Sequence, residues 1–286
     1  MPENYQRKPD WLKIKVPSGK EYVKVKEIIE RHKLHTICTS GKCPNMAECW
    51  EMGTATFMIL GDICTRSCRF CATTTGKPGP VNLDEPKNLS ESVKLMTLKH
   101  CVITSVDRDD LEDGGSAHWA NVINEVKTAN PGITIEALIP DFKGNHNDIL
   151  RVIDARPKVI SHNLETVRRL TPLVRSAAKY DRSLEVIRQV AGSGITAKSG
   201  IMVGLGETED DVSETMNDLL KVSCTVMTIG QYLQPTKNHL PVIEYIHPDI
   251  FKKWEEKGFE KGFKFIESKP LVRSSYHAEK HVGGKI

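Results

Sequence analysis

Six of the eight cysteines in this 286-residue chain fall between residues 38 and 71, in two sets of three. The first trio, spaced C-x4-C-x5-C, is Cys38, Cys43 and Cys49, and the second trio, spaced C-x3-C-x2-C, is Cys64, Cys68 and Cys71. A cubane iron–sulfur cluster normally takes four thiolates, so a set of three leaves one iron open. An open iron can bind a substrate or a cofactor, and the spacing therefore favours catalysis over a structural role.

The environment of the chain decides between metal binding and disulfides. Eight cysteines in 286 residues are too few for a disulfide-built mini-protein. The first residues carry charge with no apolar segment behind them, so no secretory signal is visible. No apolar run approaches the roughly 18 residues of a membrane helix. We expect a cytoplasmic protein with no membrane association, and in a reducing compartment closely spaced cysteines bind metal more often than they pair.

Zinc is the alternative metal. Structural zinc takes four ligands from Cys and His, and His35 stands close enough to Cys38 for a Cys3His site to be drawn. The spacings of the two trios, however, are not common zinc spacings. Cys101 and Cys224 stand alone in apolar sequence, and we interpret them as inert core thiols, because free cysteine packs as a small hydrophobe.

The segment around the second trio, Gly61-Asp-Ile-Cys64-Thr-Arg-Ser-Cys68-Arg-Phe-Cys71, resembles the signature of the radical S-adenosylmethionine (SAM) superfamily. The resemblance implies that the three thiolates hold a [4Fe–4S] cluster. It also implies that the amino and carboxylate groups of SAM chelate the fourth iron, and that SAM is cleaved to a radical able to take hydrogen from an unactivated alkyl carbon.

The first trio, in Cys38-Thr-Ser-Gly-Lys-Cys43-Pro-Asn-Met-Ala-Glu-Cys49-Trp50, narrows the resemblance to the lipoyl synthases, as does the C-terminal segment Arg273-Ser274-Ser275-Tyr276. The resemblance runs from about Pro9 to about His277. It implies that the first trio and a serine hold a second, auxiliary [4Fe–4S] cluster. Ser275 is the preferred serine and Ser274 the alternative. An oxygen ligand is harder and weaker for iron than thiolate, which suits a cluster that must give up sulfide.

Alternating apolar runs and helical patterns indicate an α/β fold. Predicted strands lie near Thr56–Leu60, Cys101–Ser105, Ile133–Leu138, Lys158–Ser161, Gly200–Val203 and Val226–Gln231. Predicted helices include His118–Thr128, Asp148–Ala155, Arg182–Ala191 and Thr208–Lys221. Such alternation predicts parallel strands with right-handed crossovers. Six repeats are too few for a closed barrel, so we expect a partial, TIM-like (β/α)6 barrel over residues 51–240. Residues 1–50 and 241–286 would be extensions that cover its open end.

Active sites of parallel sheets lie at the carboxyl ends of the strands, and the unusual polar segments follow this rule. The second trio follows the first predicted strand, and the segment His162-Asn-Leu-Glu165 follows the fourth. The two extensions lie outside the repeat. They must reach the same rim if they share a cluster.

The SAM contacts are predicted from further family-like segments. Gly200-Ile-Met202-Val-Gly204-Leu-Gly-Glu207 resembles the superfamily stretch that borders the adenine, although it also reads as a buried strand that ends in a glycine turn. Asn163 and Glu165 are candidates for the ribose hydroxyls, and Glu136 or Arg182 for the methionine end. An arginine such as Arg182 is more often a surface or ion-pair residue than a ligand contact.

The resemblance implies a concrete reaction. Two SAM molecules are consumed while sulfur enters carbons 6 and 8 of a protein-bound octanoyl-lysine, and the auxiliary cluster is used up as the sulfur source. A related enzyme whose auxiliary cluster only relays electrons is one alternative. A zinc-stapled binding protein without catalysis is another. The sequence does not decide the oligomeric state.

The implied partners are octanoylated lipoyl carrier domains, such as those of the 2-oxo acid dehydrogenases and the glycine cleavage system. An electron donor such as ferredoxin or flavodoxin, and an iron–sulfur carrier, complete the set. Residues 1–35 and 252–286 each carry nine Lys or Arg against five Asp or Glu, so basic ends could steer an acidic carrier domain, or be simply solvated. A net charge of +3 with no nucleic-acid motif gives no reason to expect nucleic acid.

Overall fold

The computed structural model describes residues 7–14, 19–51, 55–276 and 278. Its strands are β1 His35–Thr36, β2 Thr56–Ile59, β3 Ile63–Cys64, β4 Thr74–Thr75, β5 His100–Ser105, β6 Thr134–Leu138, β7 Val159–Ser161, β8 Thr196–Val203, β9 Val226–Gln231 and β10 Phe265–Ser268. Its helices are α1 Lys20–Arg31, α2 Ile37–Ser40, α3 Met46–Glu51, α4 Glu85–Leu95, α5 Ser116–Ala129, α6 His146–Asp154, α7 Thr171–Val174, α8 Tyr180–Gly192, α9 Glu209–Lys221 and α10 Pro248–Lys261. Parts of both predicted extensions, residues 1–6, 15–18, 277 and 279–286, lie outside the described residues, as does the 52–54 segment.

One sheet organises the chain, in the order β1-β2-β5-β6-β7-β8-β9-β10. Every neighbouring pair from β2 to β10 is parallel, and β1 alone runs antiparallel, against β2. The α/β partial-barrel prediction is confirmed, and all six predicted strands are present. Because β1 and β10 are the two edges, the sheet is open between them.

The prediction differs from the structure at the edges and in β8. Strand β10 continues the parallel sheet within the segment that we expected to be an extension, and its Glu267 interrupts the apolar run that would have marked it. Strand β8 begins at Thr196, four residues before the predicted start at Gly200. The prediction started too late because Lys198 and Ser199 break the apolar pattern. Both of these polar residues are nevertheless fully buried. The interior of the barrel is therefore partly polar.

Helices cover the outer face of the sheet and carry the apolar core. Helix α5 buries Trp119 and Ile123, and the indole N–H of Trp119 donates to Ser105 Oγ at 3.2 Å. Helix α9 starts with a capping box: Thr208 Oγ1 accepts from the Asp211 N–H at 3.1 Å, and Asp211 Oδ2 accepts from the Thr208 N–H at 2.9 Å. No helix in the described part of the chain combines the length and the apolar character that a bilayer span requires.

Candidate active site at two ends of the barrel

The second trio lies on a short loop after β2, at the carboxyl rim. Cys64 ends β3, which pairs with β4, and the Gly76 N–H donates to the carbonyl of Cys64 at 3.0 Å. The Cys71 N–H donates to the carbonyl of Cys68 at 3.1 Å, so the loop closes on itself. We call residues 64–71 the rim loop. Its place after the first long strand is the predicted one.

Arg66, inside the rim loop, ties the loop to two neighbouring strand ends. Its guanidinium Nε donates to Asp109 at 2.7 Å, and its Nη2 lies 2.8 Å from a carboxylate oxygen of Asp141. A third carboxylate, Asp107, lies 3.2 Å from Nη1. Burial alone would raise the pKa of Asp141, but the Arg66 charge and hydrogen bond hold that pKa below its usual value. The rim loop is thus held by ion pairs that are themselves largely buried.

The thiols of the rim loop are strongly desolvated. Burial, followed by the Asp107 carboxylate, raises the pKa of Cys64 to about 11, although the backbone N–H groups of Arg66 and Asp107 point at its sulfur. Burial also raises the pKa of Cys68 and Cys71. These groups are neutral thiols on their own and need a cationic partner to become thiolates, which a coordinated metal supplies.

A strained residue lies behind the rim loop. Glu165 adopts φ +66°, a left-handed conformation that is uncommon outside glycine, and its backbone bonds to both Gly200 and Met202 of β8. Burial raises the pKa of its carboxyl group although Arg175 lies near enough to oppose the shift. Strain of this kind marks ligand sites, so Glu165 stays a strong candidate.

Two buried polar atoms near Glu165 have no hydrogen-bond partner among the described residues: Asn163 Oδ1 and Arg175 Nε. The other end of the Arg175 guanidinium donates to the carbonyl of Asn163 at 3.1 Å, and its charge lowers the pKa of Cys68 against the larger effect of burial. Buried polar groups are nearly always paired, so these two atoms are available to a ligand. Sequence reasoning missed Arg175, because no motif surrounds it.

Gly200 in β8 and Gly204 just after this strand are closely approached by neighbouring protein atoms. A Cβ at Gly200 would lie 2.5 Å from Thr228 Oγ1 and 3.3 Å from Asn163 Oδ1, so this position faces the interior beside Asn163. Gly204 has φ +104°, and a Cβ there would lie 2.1 Å from Gln231 Nε2. Both positions require glycine for steric reasons. The same face of the strand carries Met202, two residues from each.

Glu136 and Arg182 lie in different surroundings. Glu136 is fully buried, and its Oε1 accepts from Lys198 Nζ and from Ser161 Oγ, each at 2.7 Å. Arg182 donates to Asp141 at 3.0 Å on the outer side of the Arg66 network. The structure does not bring these two side chains together, and a role for either one at the methionine end stays a prediction.

The first trio lies at the opposite end of the barrel. Cys38 is in α2, Cys43 in the following turn and Cys49 in α3. All three line a cavity of about 590 Å³ that also reaches Thr56 and His100, the first residues of β2 and β5. The extensions therefore meet at the amino ends of the strands and not at the rim that carries the polar motifs. The antiparallel strand β1 explains this, because it carries the chain down past β2.

The last described residues run back along the open side of the barrel to this cavity. We call residues 270–276 the C-terminal strap. The Gln231 N–H donates to the carbonyl of Pro270 at 3.0 Å, near the carboxyl rim. Further along, the strap contacts the N-terminal extension: Asn45 donates to the carbonyl of Leu271 at 2.7 Å, and the Tyr276 hydroxyl donates to Glu48 at 3.0 Å. Ser275 then lines the cavity together with the first trio.

Arg273 of the strap lines the cavity of the first trio. Its guanidinium attracts Cys43 and Glu165, while burial lowers its own pKa. Burial raises the pKa of Cys38 to about 11 and also that of Cys43, with Arg273 acting against the shift at Cys43. Glu165 acts on Cys71 as well, so Arg273 and Glu165 connect the two ends electrostatically.

The residues present fit two iron–sulfur clusters. All eight cysteines are free thiols. Among the described residues, no group of three His, Cys, Asp or Glu side chains converges as ligands of a single metal ion. Around one tetrahedral zinc the sulfurs would lie about 3.8 Å apart, given Zn–S bonds of about 2.3 Å. The cavity at the first trio has room for a group larger than one ion, with an oxygen donor from Ser275 as well as three thiols.

Comparisons with known proteins agree with this geometry. Residues 58–219 match the family model described as the radical SAM superfamily, and residues 2–43 match the N-terminal domain of lipoyl synthase. The crystal structure of methylornithine synthase (PylB) is 12% identical, with a TM-score of 0.56 over 89% of this chain and 84% of that one. The fold and the family match define the class: this is a radical SAM enzyme, which uses a [4Fe–4S] cluster and SAM.

The relatives define the family within that class. A lipoyl synthase of Phocaeicola vulgatus is 62% identical over 98% of this chain and 98% of its own length. One of Parabacteroides distasonis is 61% identical over 96% of this chain and 98% of its own length. The chain belongs to the lipoyl synthase family.

Proposed function

We propose that the two trios divide the sulfur insertion by which lipoyl synthases make the lipoyl cofactor. The chain carries out this insertion by radical SAM chemistry. In the proposal, Cys64, Cys68 and Cys71 hold the SAM-binding [4Fe–4S] cluster at the rim. Bound there, cluster and SAM supply hydrogen abstraction from an unactivated alkyl carbon. The rim loop's share is to fix three thiolates in a dry, rigid setting.

The SAM site lies between the rim loop and β8. Gly200, Met202 and Gly204 border the adenine, and the position of Gly200 beside the partner-free Asn163 Oδ1 supports this. Asn163 and Glu165 hold the ribose hydroxyls, and the partner-free Asn163 Oδ1 supports this.

Arg175 joins Glu136 and Arg182 as a candidate for the methionine end. Its guanidinium lies close enough to the rim loop to act on Cys68, and its Nε donor is unused. A carboxylate of the ligand would satisfy this donor and neutralise the buried charge.

The first trio and Ser275 hold the auxiliary [4Fe–4S] cluster, which is the sulfur source for carbons 6 and 8. The cavity that they share supports this assignment, since the strap that carries Ser275 is bonded to Asn45 and to Glu48, which lie between Cys43 and Cys49 in the sequence. Ser274 is the weaker candidate because its carbonyl is bound by Lys198. The chain's residues exclude water and hold the strap in place.

The substrate is an octanoyl chain on a lysine of a lipoyl carrier domain, as in the 2-oxo acid dehydrogenases or the glycine cleavage system. A ferredoxin or flavodoxin supplies electrons, and an iron–sulfur carrier rebuilds the auxiliary cluster, in the cytoplasm. The observation that carries the whole proposal is the placement of two trios of free thiols at opposite ends of one barrel, with Ser275 lining the cavity at one of them.

Anaerobic single turnover on an octanoylated peptide tests the division of labour. We expect about eight irons and no zinc per chain if each trio holds a four-iron cluster. Cys68→Ala should lose both SAM cleavage and lipoyl product. Cys43→Ala should keep SAM cleavage and lose the product. A zinc-containing, colourless protein would contradict the proposal, and so would an auxiliary cluster that stays intact while no lipoyl product forms.

A further inference from the structure

Lys198 is a fully buried lysine in the middle of the sheet. Its side chain has no solvent exposure, and it faces the barrel interior from β8 on the same side as Gly200. A buried ammonium group is costly unless it is paired and hydrogen-bonded. An apolar side chain would fill this position with less desolvation, so the charge calls for a reason other than stability.

The hydrogen bonds around the Lys198 ammonium join β8 to two neighbouring strands and to the C-terminal strap. The ammonium lies 2.7 Å from Glu136 Oε1 on β6, and the same oxygen accepts from Ser161 Oγ on β7 at 2.7 Å. The second partner of Lys198 is the backbone carbonyl of Ser274 in the C-terminal strap. Three adjacent strands thus present one ammonium group to the strap.

The carbonyl of Ser274 belongs to the peptide unit that leads into Ser275. The other bonds of the strap from this region, at Leu271 and Tyr276, are made to the N-terminal extension. Lys198 thus bonds the strap to the interior of the barrel at the residue next to Ser275, in addition to the bond from Gln231 to Pro270. With that peptide fixed, the Ser275 side chain faces the cavity of the first trio.

We propose that Lys198 is a positioning residue that sets Ser275 toward the first trio by holding the carbonyl of Ser274. The inference rests on the proposed function, because it takes Ser275 as the fourth ligand of the auxiliary cluster. Glu136 and Ser161 orient the ammonium. Lys198 itself touches neither cluster.

The test uses enzyme whose rim cluster is removed by Cys68→Ala, so that only the auxiliary cluster is observed. Lys198→Met leaves Glu136 buried without its partner, so the double variant Lys198→Met/Glu136→Gln, which removes both charges, is made as well. The control is Lys221→Met, since Lys221 is exposed at the end of α9. Mössbauer spectra report the iron ligated by oxygen, and hydrogen exchange reports residues 270–276.

We expect both Lys198 variants to lose the oxygen-ligated iron signal and to exchange the strap amides at least about tenfold faster, because local opening sets the exchange rate. The Ser275→Ala variant should give the same spectrum without faster exchange. If Ser275→Ala changes the Mössbauer spectrum but the double variant does not, the positioning role of Lys198 is overturned and the assignment of Ser275 as a ligand is kept. An unchanged spectrum in Ser275→Ala would instead overturn the ligand assignment, and the positioning role with it.

Discussion

The two ends of the barrel are built in different ways although each presents three thiols. The rim loop is one segment of eight residues, closed by its own hydrogen bonds and tied down through Arg66 to Asp109 and Asp141. The cavity of the first trio is assembled from α2, α3 and a strap more than 220 residues away, joined by bonds such as that from Asn45 to Leu271. The first arrangement is local and rigid, and the second depends on two chain ends meeting.

The difference matches the chemistry assigned to each end. A cluster that must survive many turnovers benefits from a loop held by buried ion pairs, which fix geometry even where they add little stability. A cluster that is dismantled for its sulfur benefits from a site with an oxygen ligand on a separate segment. The connection between the ends, through Glu165 and Arg273, lies inside the barrel where an acyl chain would be shielded from water.

The largest expected effect separates the two ends at a single serine. Ser275→Ala should leave SAM cleavage within about twofold of the unmodified enzyme and lower lipoyl formation at least about a hundredfold, because the proposed fourth ligand of the auxiliary cluster is removed. Ser275→Cys should do the same, since a thiolate holds iron more firmly than a hydroxyl. Product and 5′-deoxyadenosine are counted in the same anaerobic reaction.

The adjacent serine is the matched control. Ser274 contributes its backbone carbonyl, so Ser274→Ala should form lipoyl product normally. Normal product from either Ser275 variant would contradict the idea of a labile ligand. If Ser274→Ala lost the product and the Ser275 variants did not, Ser274 would be the cluster ligand in place of Ser275.

The next effect concerns the rigidity of the rim. Arg66→Gln leaves the fully buried Asp141 without its main cation, and we expect about 3 kcal/mol less free energy of unfolding, because breaking a buried ion pair strands a charge. In a Cys43→Ala background, which removes the other cluster, iron content should fall as well. Urea unfolding and iron analysis measure the two effects.

The control for Arg66 is an exposed ion pair. Arg188 pairs with Glu185 with both side chains about half exposed, so Arg188→Gln should change the free energy of unfolding by less than about 0.5 kcal/mol. If Arg66→Gln were equally mild, the rim would not be the more rigid end, and the comparison above would fail.

A feature of this fold or site can be predicted from the sequence when the residues that determine it are close together in the chain. The six strands were found because their apolar runs are continuous, whereas β8 was shortened at Lys198 and β10 was missed at Glu267. The rim loop was found from spacing alone. Without the family resemblance, Ser275 sits in a tail typical of a solvated terminus. The location of the first trio at the amino ends of the strands follows from the direction of β1. A strand of two residues is too short to be predicted from a sequence pattern.

Acid should weaken the rim end through His162, which follows β7. The pKa of this ring is lowered to about 4, by burial first and then by the nearby Arg175, with Asp141 opposing. Its nitrogens bond to the carbonyl of Ile139 and to Ser183 Oγ, each at 2.9 Å, which suits a neutral ring. The unfolded chain therefore takes up a proton below about pH 6.5 that the native ring refuses.

Since the unfolded state binds more protons between about pH 6.5 and 4, the free energy of unfolding should fall through that range, by about 3 kcal/mol from this group. Arg66, the remaining charge acting on the ring, stays cationic throughout. Urea unfolding of the unmodified protein and of His162→Gln, from pH 7 to 4, measures the slope. An equal slope in both would show that His162 does not weaken the rim in acid.

The smallest expected effect comes from a helix start that belongs to neither end. Thr208 caps α9 through the reciprocal bonds with Asp211, and Thr208→Ala removes one acceptor from the first turn, which costs about 1 kcal/mol. That corresponds to a midpoint about 2–4 °C lower in thermal unfolding for a chain of this size. Thr208→Ser should restore most of the loss because it keeps the hydroxyl. Iron content at both trios should stay unchanged, and a selective loss at the first trio would mean that its assembly follows the stability of the whole barrel rather than the contacts of the strap.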